Sequence, residues 1–109
     1  MKTAILSLIL CLASSLAFAY TDLEKVRQLK SCPNCVLRSV SFANIDLTGV
    51  DLTGADLQFA NFRNATLYKA KLDGAYLRGA NFSGARWIDG VTTCAQGSIG
   101  GCNTEQAPK

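Results

Sequence analysis

The sequence predicts a repeat solenoid, a chain wound into a coil of four short sides whose turns stack on one another. The first observation is a period of five. A bulky apolar residue recurs at Leu37, Phe42, Leu47, Leu52, Leu57, Phe62, Leu67, Leu72, Leu77, Phe82 and Trp87, eleven registers without a slip. Two positions before each stands a small or apolar residue, first Cys35, Val40, Ile45 and Val50, then Ala55, Ala60, Ala65, Ala70, Ala75, Ala80 and Ala85. Neither the helix period of 3.6 nor the strand period of 2 generates this pattern. A fixed repeat is the signature of a quasi-one-dimensional stack. The second observation is a period of twenty. Phenylalanine takes the central position only at Phe42, Phe62 and Phe82. Four fives make one circuit, so these rings are expected to form a ladder inside the coil, where offset stacking adds to area burial. The polar positions agree. Asp51 and Lys71, and Lys69 and Asp89, pair opposite charges twenty apart, while Asp46, Thr66 and Arg86 share one outer column.

The chain has 109 residues, enough for one domain. Its first nineteen residues stand apart from it. Lys2 gives a positive start, Ala4 to Leu16 is apolar, and Ala17-Phe18-Ala19 has the small-residue pattern of a cleavage site. Residues 1–19 therefore read as a secretory signal peptide, too short in its apolar run to span a bilayer. Cys11 raises a lipoprotein reading, but Leu10 before it is not small. Removal of Lys2 leaves ten Lys+Arg against eight Asp+Glu.

Residues 20–34 read as an N-terminal cap. Thr21 followed by Glu24 matches a capping box, and Leu23, Val26 and Leu29 recur at spacing three, predicting a short amphipathic helix over residues 21–30. Its expected role is a lid on the first coil; a helix this short is marginal without tertiary support, which disfavours a free membrane-surface helix. The cap ends in Ser31-Cys32-Pro33-Asn34-Cys35. Four cysteines remain after export, Cys32, Cys35, Cys94 and Cys102, and an even count in a short exported chain argues for disulfides with three possible connectivities. The Cys-x-x-Cys spacing also fits a redox dithiol or half a zinc site. Zinc is disfavoured because the chain has no His and the second pair has seven residues between its cysteines, not two to four. A thioredoxin-like dithiol lacks the surrounding βαβ pattern. The expected pairing is Cys32–Cys35 at one end and Cys94–Cys102 at the other. Two or three coils at about 4.8 Å each separate the ends, more than the roughly 7 Å that a disulfide spans between Cα atoms.

Residues 35–89 carry a resemblance. The units Val50-Asp51-Leu52-Thr53-Gly54, Ala55-Asp56-Leu57-Gln58-Phe59, Ala75-Tyr76-Leu77-Arg78-Gly79 and Ala80-Asn81-Phe82-Ser83-Gly84 resemble the A-(D/N)-(L/F)-x-x motif of the pentapeptide-repeat family. The resemblance implies an all-β fold, a right-handed quadrilateral β-helix with the central Leu or Phe and the preceding Ala inward. It implies no particular activity, because a shared fold does not fix a function. Glycines two residues after the centre mark the corners, and Phe59, Asn64 and Lys69 replace them in the second coil, where corner geometry is expected to differ. Phe59, Tyr68, Tyr76 and Ile88 are outward positions assigned to different columns. Residues 90–109 form a Gly- and Ser-rich tail with Cys94 and Cys102, similar to the closing segment of short exported members of the family.

No catalytic constellation emerges. There is no His and no nucleophile elbow, and Asp46, Asp51 and Asp56, five apart, fall on different sides of a four-sided coil. No clustered basic patch suggests nucleic acid. The expectation is a non-catalytic structural scaffold, exported to the periplasm, a lumen or the outside, binding a protein or surface partner. It has no membrane span after signal cleavage, no metal and no cofactor. The alternative is a thiol–disulfide redox or redox-sensing protein using Cys32 and Cys35.

Overall fold

The computed structural model describes residues 21–104; residues 1–20, which include the expected signal peptide and Cys11, and residues 105–109 lie outside it. From Ser31 to Thr66 every fifth residue enters a parallel bridge with the residue twenty further on. Four ladders result: Ser31–Asp51–Lys71, Val36–Asp56–Tyr76, Ser41–Asn61–Asn81 and Asp46–Thr66–Arg86. One circuit is thus twenty residues, and each ladder marks one side. Three hydrogen bonds hold each side to the next coil, one of them from the amide two residues after the centre, as from Gly54 to the Asp73 carbonyl (2.8 Å). The central amide donates forward, as from Leu52 to the Lys71 carbonyl (2.8 Å) and Phe62 to Asn81 (2.7 Å). The residue before the centre donates backward, as from Asp56 to Cys35 (2.8 Å) and Asn61 to Val40 (2.9 Å). Each unit gives two of its five residues to a turn, so only single bridges form. The pairing is sparser than an all-β chain implies, and no continuous strand forms among the described residues.

The pattern begins one unit before Leu37. The Cys32 amide donates to the Asp51 carbonyl (2.8 Å), just as Leu52 does to Lys71, and Cys32 is buried. Cys32 is therefore the central residue of the first side, twenty before Leu52. The central residues from Leu37 to Leu67 are all buried, together with Val50, Ala55, Ala60 and Ala65. Phe42 and Phe62 stack at 5.1 Å between centroids and Phe62 and Phe82 at 4.8 Å, while Trp87 meets Phe82 edge-on at 5.2 Å. In the last coil Leu72, Leu77 and Trp87 are only partly buried, because no further coil stacks beyond them among the described residues.

The corners correct one expectation. Phe59, Asn64 and Lys69 take φ of 63°, 59° and 61°, the same left-handed conformation as Gly54 at 68° and Gly79 at 73°. The coil imposes its geometry whatever the residue, although a left-handed non-glycine costs about 1–2 kcal/mol. Phe59 then lies along its column, and a Cβ on Gly79 would run into its ring. Glycine at 79 leaves that space open.

Helix α1 (Asp22–Leu29) begins at Thr21, whose Oγ1 accepts from the Glu24 amide (3.2 Å), and ends at Lys30 in the left-handed region. Val26 is buried and Leu23 is partly buried against the core, but Leu29 is 63% exposed. Spacing three falls short of a full turn, so each step drifts about 60° around the helix and Leu29 has left the buried face. At the other end the chain turns at Asp89-Gly90 and runs back antiparallel, bridging Arg86 with Thr93 and Asn81 with Ile99. Among the described residues no helix is long and apolar enough to cross a membrane.

The register makes a sharp test. Phe62→Ala removes the middle ring of the stack and should cost about 3–5 kcal/mol. Phe59→Ala, three residues away and 55% exposed, should cost under about 1 kcal/mol. Denaturant melts of the two variants check it, and a larger loss for Phe59→Ala would refute the inward register.

Candidate functional site

Both ends of the stack carry a cysteine pair. At the N-terminal end Cys32 and Cys35 have their Sγ atoms at bonding distance, with Cα atoms 5.5 Å apart. Both are buried, Cys32 as a central residue and Cys35 in the inward position before Leu37. Cys94 and Cys102 are likewise joined at the C-terminal end, with Cα atoms 5.0 Å apart. This is the two-ended arrangement that the spacing suggested.

Sequence reasoning missed Asp22. The first residue of α1 folds over the Cys-x-x-Cys segment, and a carboxylate oxygen of Asp22 and the two Sγ atoms all lie within 4.8 Å of one another. Its Oδ2 accepts from the Val36 amide (2.7 Å) and its Oδ1 faces Lys25 Nζ at 3.3 Å. The Val36 bond closes an edge amide of the first coil that has no preceding coil to bond. The main-chain carbonyl of Asp22 also lies 3.4 Å from Cys32 Sγ, a packing contact, since a disulfide sulfur has no proton to donate. The three groups could ligate a borderline metal such as zinc only with the bond reduced, because the ligand is the thiolate. No local sequence signal marks Asp22; ten residues separate it from Cys32.

The repeat aspartates are used differently. Asp46, Asp51 and Asp56 stand in three separate ladders and do not converge. Each closes its own turn. Thr53 donates both its amide (3.0 Å) and hydroxyl (2.6 Å) to Asp51 Oδ1, and Thr48 does the same to Asp46. Asp89 accepts from the Val91 and Thr92 amides and the Thr92 hydroxyl, closing the turn into the tail. These bonds favour the ionised form, so the Thr48, Thr53 and Thr92 side chains hold the Asp46, Asp51 and Asp89 carboxyls below the usual aspartate value. At Asp56 partial desolvation pushes upward, and hydrogen bonds from Arg38 and Gln58 outweigh it. The Arg38 Nε–Asp56 contact, at 2.6 Å, links residues eighteen apart. The twenty-residue rule did not find it because the arginine sits one position after its centre and the aspartate one before. Lys69 and Asp89 share a side, but Lys69 Nζ lies 5.2 Å from the Tyr68 ring centroid and Asp89 is engaged in its turn.

The outer apolar residues also regroup. Tyr68 and Ile88 are twenty apart and share one column, not separate ones. Val36, Phe59 and Tyr76 lie on the side built on Leu37, Leu57 and Leu77, and are 64%, 55% and 61% exposed. A pocket of about 210 Å³ lies between the end of α1 and the first coil, lined by Val26, Arg27, Lys30, Phe42, Ile45 and Leu47 among others. It is smaller than the roughly 300–1,000 Å³ of ordinary ligand sites.

These features define a stacked five-residue repeat closed differently at its two ends. The family profile for pentapeptide repeats matches residues 32–67 and 60–86, in eight copies, about half of the chain. The chain belongs to the pentapeptide-repeat family. Comparison with curated individual proteins gives no match.

The aspartates predict acid sensitivity. Their carboxyls titrate lower in the folded chain than in the unfolded one, so their contribution is present above the unfolded value of about 4. It is lost as pH falls through the folded values. Thermal midpoints should therefore hold near neutrality and drop below about pH 4. Asp46→Asn and Asp51→Asn together should flatten that drop, as read by circular dichroism melts at stepped pH.

Proposed function

We propose that this pentapeptide-repeat protein is an exported, non-catalytic scaffold: a right-handed quadrilateral β-helix, tied at both ends by disulfides, that offers rigid sides to a protein partner in the periplasm, a lumen or the extracellular space. The observation that carries the reading is the distribution of chemistry. Inward positions are filled by apolar side chains, repeat aspartates are engaged in turns, and both cysteine pairs sit at the ends of the stack. Export is supported by the signal-like segment before Tyr20 and by an even cysteine count in the remainder. Surfaces that display aromatic and arginine side chains suit protein recognition, and the side with Phe59, Tyr76, Arg38 and Arg78 supplies both.

A second reading keeps the Cys32–Cys35 pair as a redox dithiol. One observation favours it: the Asp22 carboxylate stands beside both sulfurs, where it could exchange a proton with a thiol. Against it, both cysteines are buried, and accessible thiols are the reactive ones.

One measurement separates the two. Under the scaffold reading both bonds should resist the glutathione pool, with reduction potentials below about −300 mV, and no disulfide substrate should turn over. A Cys32–Cys35 potential near about −270 to −120 mV, with turnover, would give the function to the dithiol. Non-reducing peptide mapping of the exported chain checks the connectivity first. A peptide joining Cys35 to Cys102 would overturn the two-ended scheme. Affinity capture from the native compartment, repeated with a chain altered at Phe59 and Tyr76, tests the partner surface itself.

A further inference from the structure

The C-terminal end of the stack is only half closed. Within the stack the central amide and the amide two residues later donate to the next coil, as Leu52 to Lys71, Gly54 to Asp73, Leu57 to Tyr76 and Phe59 to Arg78. In the last coil the tail supplies these acceptors on two sides. Phe82 donates to Ser98 (2.7 Å), Gly84 to Cys94 (2.9 Å) and Trp87 to Thr92 (2.8 Å), while the Ala80 and Ala85 carbonyls accept from Gly100 (2.7 Å) and Cys94 (2.8 Å). The other two sides receive no backbone bond from the described residues. Among the described residues, the amides of Leu72, Gly74, Leu77 and Gly79 have no acceptor, and the carbonyls of Ala70 and Ala75 have no donor. Leu72 and Leu77 are only partly buried behind them. An unpaired row of this kind is a template for strand addition.

We propose that this open edge binds an extended segment of a partner protein by β-augmentation, continuing the interface that the chain's own tail makes on the neighbouring sides. The proposal rests on the scaffold reading above and names the partner's chemistry. The edge asks for an apolar side chain over Leu72 and another five residues later over Leu77, with small or apolar residues two positions before each. Lys71 and Arg78 against Asp73 leave the exposed rim with one net positive charge, which favours an acidic segment. The chain contains a template for this: Asp51 pairs with Lys71 across one ladder, and Asp56 with Tyr76 across the next. A blocked peptide copying residues 50–59 carries both aspartates and two net negative charges. In coil register its Asp51, Thr53, Asp56 and Gln58 carbonyls would accept from Leu72, Gly74, Leu77 and Gly79. Its Asp51 and Asp56 amides would donate to Ala70 and Ala75.

Amide hydrogen exchange on the full chain, with both cysteine pairs oxidised, tests this residue by residue. In the free protein Leu72, Gly74, Leu77 and Gly79 should exchange fast and Leu52, Gly54, Leu57 and Phe59 slowly. The peptide at about 100 times its Kd should slow the first four roughly a hundredfold. N-methylation of the peptide at Asp51 and Asp56 removes two donors aimed at the edge and should weaken binding about tenfold or more. N-methylation at Leu52 and Leu57, whose amides face away, should not. Protection confined to the outer Phe59–Tyr76 side, equal effects of the two methylation patterns, or no protection would overturn the proposal. So would self-association in sedimentation that shields the same amides without peptide, since the edge would then serve a second copy. If the four amides are already protected in the free chain, the edge is closed by the chain itself; this proposal falls while the scaffold reading stands.

Discussion

From Cys32 to Leu67 the amide at the centre of each unit bonds to the carbonyl nineteen residues on, and the rest of the stack is arranged to let that bond repeat. It fixes the coil at twenty residues. Once fixed, it decides which side chains are inside, because from Leu37 onward the central residue and the one two before it point inward wherever the central amide reaches its acceptor. A slip of one residue would turn Asp51 or Arg63 inward and leave a Leu or Phe outside. The phenylalanine stack reinforces the bond: three rings 5.1 and 4.8 Å apart sit at the spacing the ladder dictates. The same constraint explains the corners. Phe59 and Lys69 accept a left-handed backbone because the alternative is to lose two inter-coil bonds, and the net loss on leaving a buried amide unpaired, about 1–3 kcal/mol, is comparable to or larger than the local strain.

Much of this was legible in the sequence because the constraint is periodic. The five-residue and twenty-residue repeats identify the interior residues directly, and the buried set follows them, with Val40, Ile45, Leu72, Ala75 and Leu77 partly buried. The pattern failed where the residue type departed from it. Cys32 was not read as a centre, since it is neither Leu nor Phe and Lys30, two before it, is not small. Yet it bonds and buries as the others do, which means that register, not residue size, defines membership of the stack.

The candidate site was less legible, for a different reason. Asp22 reaches the cysteine pair only because α1 folds back over the first coil, and that return is set by tertiary packing of Val26, with no local pattern to announce it. Charges behaved similarly. The twenty-residue rule pairs Lys69 with Asp89, but a carboxylate two residues ahead of free amides closes an Asx turn first, and Asp89 does so. Local bonds of this kind also draw on Asp46 and Asp51, so surface charge that looks available in the sequence is committed to holding corners.

The two ends follow from how far a cap can travel. At the N-terminus a helix lies across the coil and its first residue, Asp22, reaches one edge amide, that of Val36. At the C-terminus the chain reverses at Asp89-Gly90 and retraces its last coil from Trp87 back to Ala80, pairing as it goes. It cannot retrace further. Cys102 is tied to Cys94, and the Ala95 amide donates to the Asn103 carbonyl at 2.8 Å, so the tail is folded back on itself after Gly100. The spacing between those two cysteines therefore sets the length of the cap at two sides of four. A longer loop could have covered the sides of Leu72 and Leu77, but it would have closed the tail against itself less tightly. Among the described residues, the tail secured by that disulfide thus pairs with two of the four sides of the last edge.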